Sequence, residues 1–291
     1  MNYQWYPGHM TKAKRMMQEN IKLIDLVIEL VDARIPWSSR NPDIDELAAH
    51  KSRVILLNKA DLADARYNKE WTEFFTEKGF HVLEMNARQG TGMKAFQKIV
   101  QDACKEKLER NRKRGILNRP VRAMVAGIPN VGKSTFINSF AGKACTKTGN
   151  KPGVTKGKQW IRMNKDLELL DTPGILWPRF EDQKTGMRLA FIGSMNDEIL
   201  HVDELAQELI YVLKDSYPGV LENRYGLEGL FSESQDAMAV LAEICRVRHC
   251  YKKGEEPDLM RAAGMLIEDF RSGKMGRITL EFPEEGREEQ K

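Results

Sequence analysis

Nowhere in these 291 residues do apolar side chains run uncharged for the roughly 18 positions that a membrane-spanning helix needs. The opening MNYQWYPGHM also lacks the basic start and apolar run of a secretory signal, so a cytoplasmic protein with no membrane partner is expected. Cysteine is scarce: Cys104, Cys145, Cys245 and Cys250 form no C-x-x-C pair, which argues against a disulfide framework and a structural zinc site. Cys245 and His249 stand four apart without a fourth ligand, and no metal is expected there. No internal repeat is visible.

Acidic residues are nearly missing from one stretch. Between Lys105 and Arg162 stand fifteen Lys or Arg and two acids, Glu106 and Glu109, whereas residues from 200 onward carry twelve basic and nineteen acidic side chains. A polyanion such as RNA is a natural partner for the middle of the chain, although a solvated basic face is an equal alternative. Lys12, Lys14 and Arg15 form a second, smaller cationic cluster with the same two readings.

Five apolar stretches end at polar motifs, as parallel strands do when ligands gather at their carboxyl edge: residues 26–34, 53–61, 80–88, 121–127 and 167–174. A sixth, 159–163, precedes the last across a short NKD, which predicts a hairpin and one antiparallel strand. Helical periodicity covers 69–78, 92–113 and 133–141. After Pro178 apolar residues recur at spacings of three and four over 203–214, 235–247 and 257–271, predicting a small α-helical domain. The expected organisation is an α/β domain over 1–178 with a six-stranded, mostly parallel sheet, a helical domain over 179–282, and a charged, disordered tail over 283–291.

GIPNVGKST, residues 127–135, fits the phosphate-loop pattern between a predicted strand and a predicted helix. Gly127 and Gly132 let its backbone wrap the phosphates, with Asn130, Val131, Gly132, Lys133, Ser134 and Thr135 as the nucleotide-binding residues; Lys133 reaches the terminal phosphates and Ser134 is expected to ligate Mg²⁺. DTPG at 171–174 supplies Asp171 near the metal and the Gly174 N–H for the γ-phosphate. Between them, NKPGVTKG offers Thr155 as the switch residue closing on Mg²⁺, with Thr148 the weaker candidate.

The base is selected by NKADL at 58–62. Asn58 and Lys59 precede Asp61, whose carboxylate can accept from both N1–H and the 2-amino group of guanine, whereas adenine would leave it unpaired. GTP and GDP are therefore the expected ligands. Asn86, Ala87 and Arg88 follow another strand end, and the Ala87 N–H is a candidate donor to guanine O6. These base motifs come before the phosphate loop. Cutting a GTPase after DTPG and joining its old ends produces that order without changing the site, and residues 93–120 are the joining segment. Asp32 and Arg34, in VDARIP, are expected to pair and shape the site. Trp160, Trp177 and Phe180, near the switch region, are expected to pack rather than stack on bases.

With WYPGHM, VDARIP, NKADL, NAR, GIPNVGKST, PGVT and DTPGILWP in this order, the chain resembles the circularly permuted ribosome biogenesis GTPase A family over nearly its whole length. The resemblance implies GTP hydrolysis stimulated by ribosomal particles, late assembly of the large ribosomal subunit, and rRNA binding aided by the helical domain. A monomer is expected, and DNA is not an expected partner. Ile175 stands where Ras-like enzymes carry a water-orienting glutamine, so another group must position water. The resemblance gives that role to His9; without it a structural histidine is the commoner reading. Asn130 is a candidate ligand for K⁺ beside the phosphates or simply a stabiliser of the loop. Two rival functions remain: a GTPase switch serving transfer RNA or the small subunit, and a GTP-dependent scaffold with negligible hydrolysis, which Ile175 favours.

Overall fold

The computed structural model describes residues 8–116, 119–142, 159–177, 180, 182–197, 200–227 and 236–288. The chain opens with α1 (Gly8–Asn20) and enters β1 (Leu26–Asp32), every residue of which is buried. A strand buried along its whole length is covered on both faces; Glu29, charged in its middle, is paired with Arg40 and Arg53. A short α2 (Asp43–Leu47) leads to β2 (Ser52–Asn58), α3 (Ala65–Glu77) and β3 (His81–Glu84). Next come α4 (Met93–Ala103), α5 (Lys105–Lys113), β4 (Val121–Ala126), α6 (Lys133–Ala141), β5 (Gln159–Arg162) and β6 (Leu167–Asp171). The sheet is six-stranded in the order β3-β2-β1-β4-β6-β5, with all neighbours parallel except β5 and β6. This matches the expected architecture and hairpin.

Alternation along β2 separates two packed layers. Val54 and Leu56 join the larger core, while Ile55 and Leu57 face Trp71, Phe74 and Phe75 of α3. The chain runs outward from β1 to β3 and then returns to place β4 on the other side of β1. A crevice therefore opens where the strand order reverses, at the carboxyl ends of β1 and β4. The returning segment is not the single helix predicted over 92–113. Its apolar stripe of Phe96, Val100 and Cys104 ends where α4 stops, and α5 carries no fully buried side chain.

Beyond the sheet lie α7 (Gln183–Phe191), α8 (Val202–Ser216), α9 (Val220–Tyr225), α10 (Ala237–Arg248) and α11 (Leu259–Arg271). Asp182, Asp236 and Asp258 cap α7, α10 and α11 by accepting from backbone N–H groups in the first turn. Leu205, Leu209 and Leu213 of α8 pack with Leu241, Ile244, Leu266 and Phe270 in a core continuous with that of the sheet. Trp177 and Phe180 meet edge to face at 5.1 Å and join it as expected. No helix among the described residues is long and apolar enough to cross a membrane.

The disorder expected from 283 does not hold through Glu288, because Pro283–Glu288 forms α12. Its cause lies just upstream, in residues 278–282, which return to the sheet. Ile278 N–H donates to Leu62 O, Leu280 N–H donates to Arg34 O, and Trp71 Nε1 donates to the Glu281 carbonyl. The buried Glu281 carboxylate accepts from the Trp37 and Ser38 N–H groups, the Ser38 hydroxyl and Arg188. Burial pushes this carboxyl upward, against the pull of Arg188 and the Ser38 donors. A strap held by such bonds fixes the start of the helix that follows.

Candidate functional site

At the carboxyl edge the two base motifs and the phosphate loop are held by one side chain. Asn58, ending β2, donates from Nδ2 to Val131 O at 2.7 Å and accepts at Oδ1 from Ala87 N–H at 3.0 Å. Gly132, at φ 104, lies so close that a β-carbon there would sit 2.5 Å from Asn58 Nδ2. Ala87 is fixed at its other end by Ser139 Oγ, which donates to its carbonyl at 2.6 Å. The Ala87 N–H considered for guanine O6 is thus engaged by Asn58 in this state. Asn86 Oδ1 accepts from the Arg88 and Gln89 N–H groups and shapes that turn.

Lys59 follows in the left-handed region, at φ 59, an unusual conformation for a residue with a side chain. Its Nζ lies 2.8 Å from Asp32 Oδ2, and the same carboxylate is gripped by Arg34 through Nε and Nη2, each at 2.9 Å. Burial alone would raise the Asp32 carboxyl; Arg34 and Lys59 overcome it and hold it well below the usual carboxylate range. The Asp32–Arg34 pair was expected, but the link to Lys59 was not. Asp61, two residues further on, is partly exposed.

In the phosphate loop Lys133 is buried, its ammonium donating to the Gly127 and Ile128 carbonyls at 2.9 and 2.8 Å. Burial lowers its pKa to about 8, with Asp171 opposing. Asp171 ends β6, fully buried, and neither carboxylate oxygen has a well-formed hydrogen bond. Burial raises it to about 6, against the Lys133 charge and the Thr172 N–H. An orphaned acid facing a phosphate loop, with Ser134 at the start of α6, is the donor set a hard divalent cation would satisfy. Thr135 continues α6.

The DTPG turn lies directly on this loop. A β-carbon at Gly174 would come within 2.8 Å of Pro129 and 2.9 Å of Lys133 Nζ, so only glycine lets the two approach. Ile175 is buried and donates from its N–H to Gly127 O at 3.4 Å, which turns its side chain into the core and away from any attacking water. The next N–H, of Leu176, reaches the sulfur of buried Met10 at 3.5 Å. His9 precedes Met10 in α1, so the backbone brings its position to the switch. Thr148 and Thr155 lie outside the described residues.

Asn130, also left-handed at φ 58, donates from Nδ2 to Gly193 O at 2.6 Å, and Ser194 Oγ donates to Pro129 O at 2.8 Å. The turn after α7 is therefore tied to the phosphate loop. Arg271 in turn holds this turn through the Phe191 and Ala190 carbonyls at 2.9 and 2.7 Å. Sequence reasoning missed these ties, since nothing in FIGSMN marks a partner some sixty residues away. No group of residues at Cys245 and His249, or elsewhere among the described residues, is arranged to hold a metal through His, Cys, Asp and Glu alone.

Residues 122–241 match the family model described as 50S ribosome-binding GTPase. Ribosome biogenesis GTPase A of Bacillus cereus is 46% identical over 285 residues, covering 98% of this chain and 95% of its own length. The same-named protein of Thermotoga maritima is 33% identical, covering 97% and 95%. Among solved structures, a GNP-bound YlqF from T. maritima superposes with a TM-score of 0.69 at 29% identity, covering 94% of this chain and 99% of that one. A GDP-bound YlqF from T. maritima superposes at 0.67 and 28% identity. With base motifs preceding the phosphate loop on one sheet edge, and relatives matched nearly end to end, this chain is a guanine-nucleotide-hydrolysing P-loop enzyme that belongs to the circularly permuted ribosome biogenesis GTPase A family.

Proposed function

We propose that this GTPase acts in late assembly of the large ribosomal subunit in the cytoplasm, as a monomer whose hydrolysis is switched on by the particle it binds. The single observation carrying this reading is an incomplete catalytic centre. Asn58 bonds to Val131 and Lys133 to the Gly127 carbonyl, yet Ile175 is buried and cannot orient water. A site of this kind needs an outside event to finish it, and the relatives are named for ribosome biogenesis.

In this reading Asp61, with Asn58, Lys59 and the 86–88 turn, selects guanine. Val131, Gly132, Lys133 and Thr135 cradle the phosphates, and Lys133 exchanges its two carbonyl partners for phosphate oxygens. Ser134, Asp171 and Thr155 would hold Mg²⁺, which when bound neutralises charge on the transferred phosphoryl group. Gly174 offers its N–H to the γ-phosphate. His9 positions water once the particle fixes the start of α1, whose Met10 already touches the switch. Asn130 would offer its amide oxygen to K⁺, its nitrogen being committed to Gly193. The helical part over 179–282 binds rRNA.

The test is GTP turnover in K⁺ buffer for the protein alone, with large subunits and with small subunits. Stimulation by large subunits only, lost in His9→Ala and weakened when Na⁺ replaces K⁺, is the expected result. Equal slow turnover in all three would instead favour the GTP-dependent scaffold, the reading that buried Ile175 supports.

A further inference from the structure

The edge of the sheet opposite the nucleotide carries a second feature that the GTPase cycle does not use. Asp25 immediately precedes β1, Ser52 and His81 open β2 and β3, and Arg119 precedes β4, so all four lie at the amino ends of parallel strands. With α5 and the end of α4 they line a groove of about 920 Å³. Eight Lys or Arg face it against three acids.

The arrangement is built rather than scattered. Buried Asp25 anchors one wall: it accepts from Lys107 and from the Arg122 N–H at 3.1 Å, and lies 3.5 Å from Arg119. Lys51 donates to the Ile24 carbonyl at 2.9 Å, which fixes a further ammonium beside it. Lys107, Arg110 and Arg114 follow at spacings of three and four, so they share one face of α5 and its last turn. Arg110 and Arg114 are exposed, and their side chains make no ion pair among the described residues. From Lys107 to Arg114 the helix rises roughly 10 Å, enough to follow successive phosphates of one strand.

We propose that this groove is a docking site for the sugar–phosphate backbone of double-stranded RNA, on the far edge of the sheet from GTP and with one wall formed by the segment that joins the old chain ends. The proposal rests on the reading that the protein works on ribosomal RNA, and adds to the helical half a second contact surface. The groove offers many cations and no open Phe, Tyr or Trp face. Phe80, its one Phe, Tyr or Trp, is covered by the guanidinium groups of Arg40 and Arg53, each 4.9 Å from the ring centre, and the other rings are the imidazoles of His50 and His81. Splayed bases of a single strand would find only these two imidazoles against eight cations, whereas a duplex read by its backbone needs the cations alone. An acidic polypeptide would find few exposed apolar anchors beside the charges.

The test uses the full chain and a fluorescent RNA duplex of about 16 base pairs, with affinity measured by anisotropy across a series of KCl concentrations. The variant is Arg110→Glu with Arg114→Glu, both exposed and remote from the nucleotide. The expected result is binding weakened at least about tenfold at moderate salt, with a log–log salt slope shallower by about two. GDP affinity and basal turnover stay at the wild-type level and report an intact fold. Unchanged RNA affinity and slope would overturn the groove, even if large subunits stimulate turnover. Loss of RNA binding in a protein that no subunit stimulates would uphold the groove and overturn the ribosomal reading. Polyglutamate that binds wild type as tightly as RNA, and weakens equally in the variant, would make this an acidic-polypeptide site and overturn the RNA assignment.

Discussion

Lys59 reaches from the base motif to Asp32 at the end of the neighbouring strand, 2.8 Å from a carboxylate that Arg34 holds from the other side. The lysine proposed to face guanine is thus tied to the first strand of the sheet, its side chain held by a buried charge while its backbone stands in the left-handed region.

Asp32→Asn should therefore release Lys59 and leave Arg34 buried without its counter-charge. Loss of one partner from a buried pair costs about 3–5 kcal/mol, measurable as a lower urea midpoint, and GDP should bind more weakly. The sign with pH follows from the depressed carboxyl. In the folded protein Asp32 ionises below its unfolded value, so its stabilisation is complete above about pH 4 and is lost as pH falls from there toward the folded value. Acid unfolding curves of the wild type should steepen below that point, and those of Asp32→Asn should lack the added step.

Asp171→Asn should separate metal binding from folding. The ionised acid lies buried without a well-formed bond, so the nucleotide-free variant should melt at or above the wild-type temperature. Mg²⁺-dependent turnover should fall at least about a hundredfold, and Mg²⁺ should no longer raise the melting temperature in the presence of GDP. A large drop in nucleotide-free stability would show that the carboxylate is a structural bond rather than an open ligand.

Gly174→Ala places a methyl group against Pro129 and the Lys133 ammonium. GDP occupies the α and β positions only, so its affinity should change by less than about threefold, whereas GTP turnover should fall about tenfold or more. Equilibrium titration with a fluorescent GDP analogue beside single-turnover hydrolysis distinguishes the two effects.

Glu281→Ala removes the acceptor for two backbone N–H groups, a hydroxyl and Arg188 together. On the order of 3–5 kcal/mol should be lost, with hydrogen exchange at Trp37 and Ser38 rising first. Glu281→Gln, which keeps an oxygen acceptor, should recover part of the loss. Equal protection at Trp37 in all three proteins would mean that the strap does not hold this loop.

Much of the site was legible because the base motifs, the phosphate loop and DTPG each follow an apolar strand whose end can be read from its own residues. Asn58, Lys133 and Asp171 stand where their strands and helix predict, and β5 pairs antiparallel across the NKD turn. What escaped notice depends on partners distant along the chain. Asn130 bonds to Gly193, and Asp32 serves Lys59, through contacts that no local period announces. The helical run over 92–113 broke because hydrophobic spacing ends at Cys104 while helix-forming charged residues continue. The strap at 278–282 carries too few residues for a periodic signal and is stabilised by bonds to loops distant along the chain.

Ser38 and Glu281 are separated by 243 positions, and their union has a consequence for how the molecule is made. A ribosome synthesising this chain finishes the first strand and its loop long before the acceptor for the Ser38 N–H exists. Until then that loop can be satisfied only by water or a chaperone, and closure must bring together residues nearly a full chain apart, a slow kind of contact to form. The loop that follows the proposed guanine motif, adjoining this strap at Leu62 and Asp64, is therefore completed late in synthesis. A nascent chain arrested before residue 278 carries every nucleotide motif yet lacks the segment that closes over the first of them.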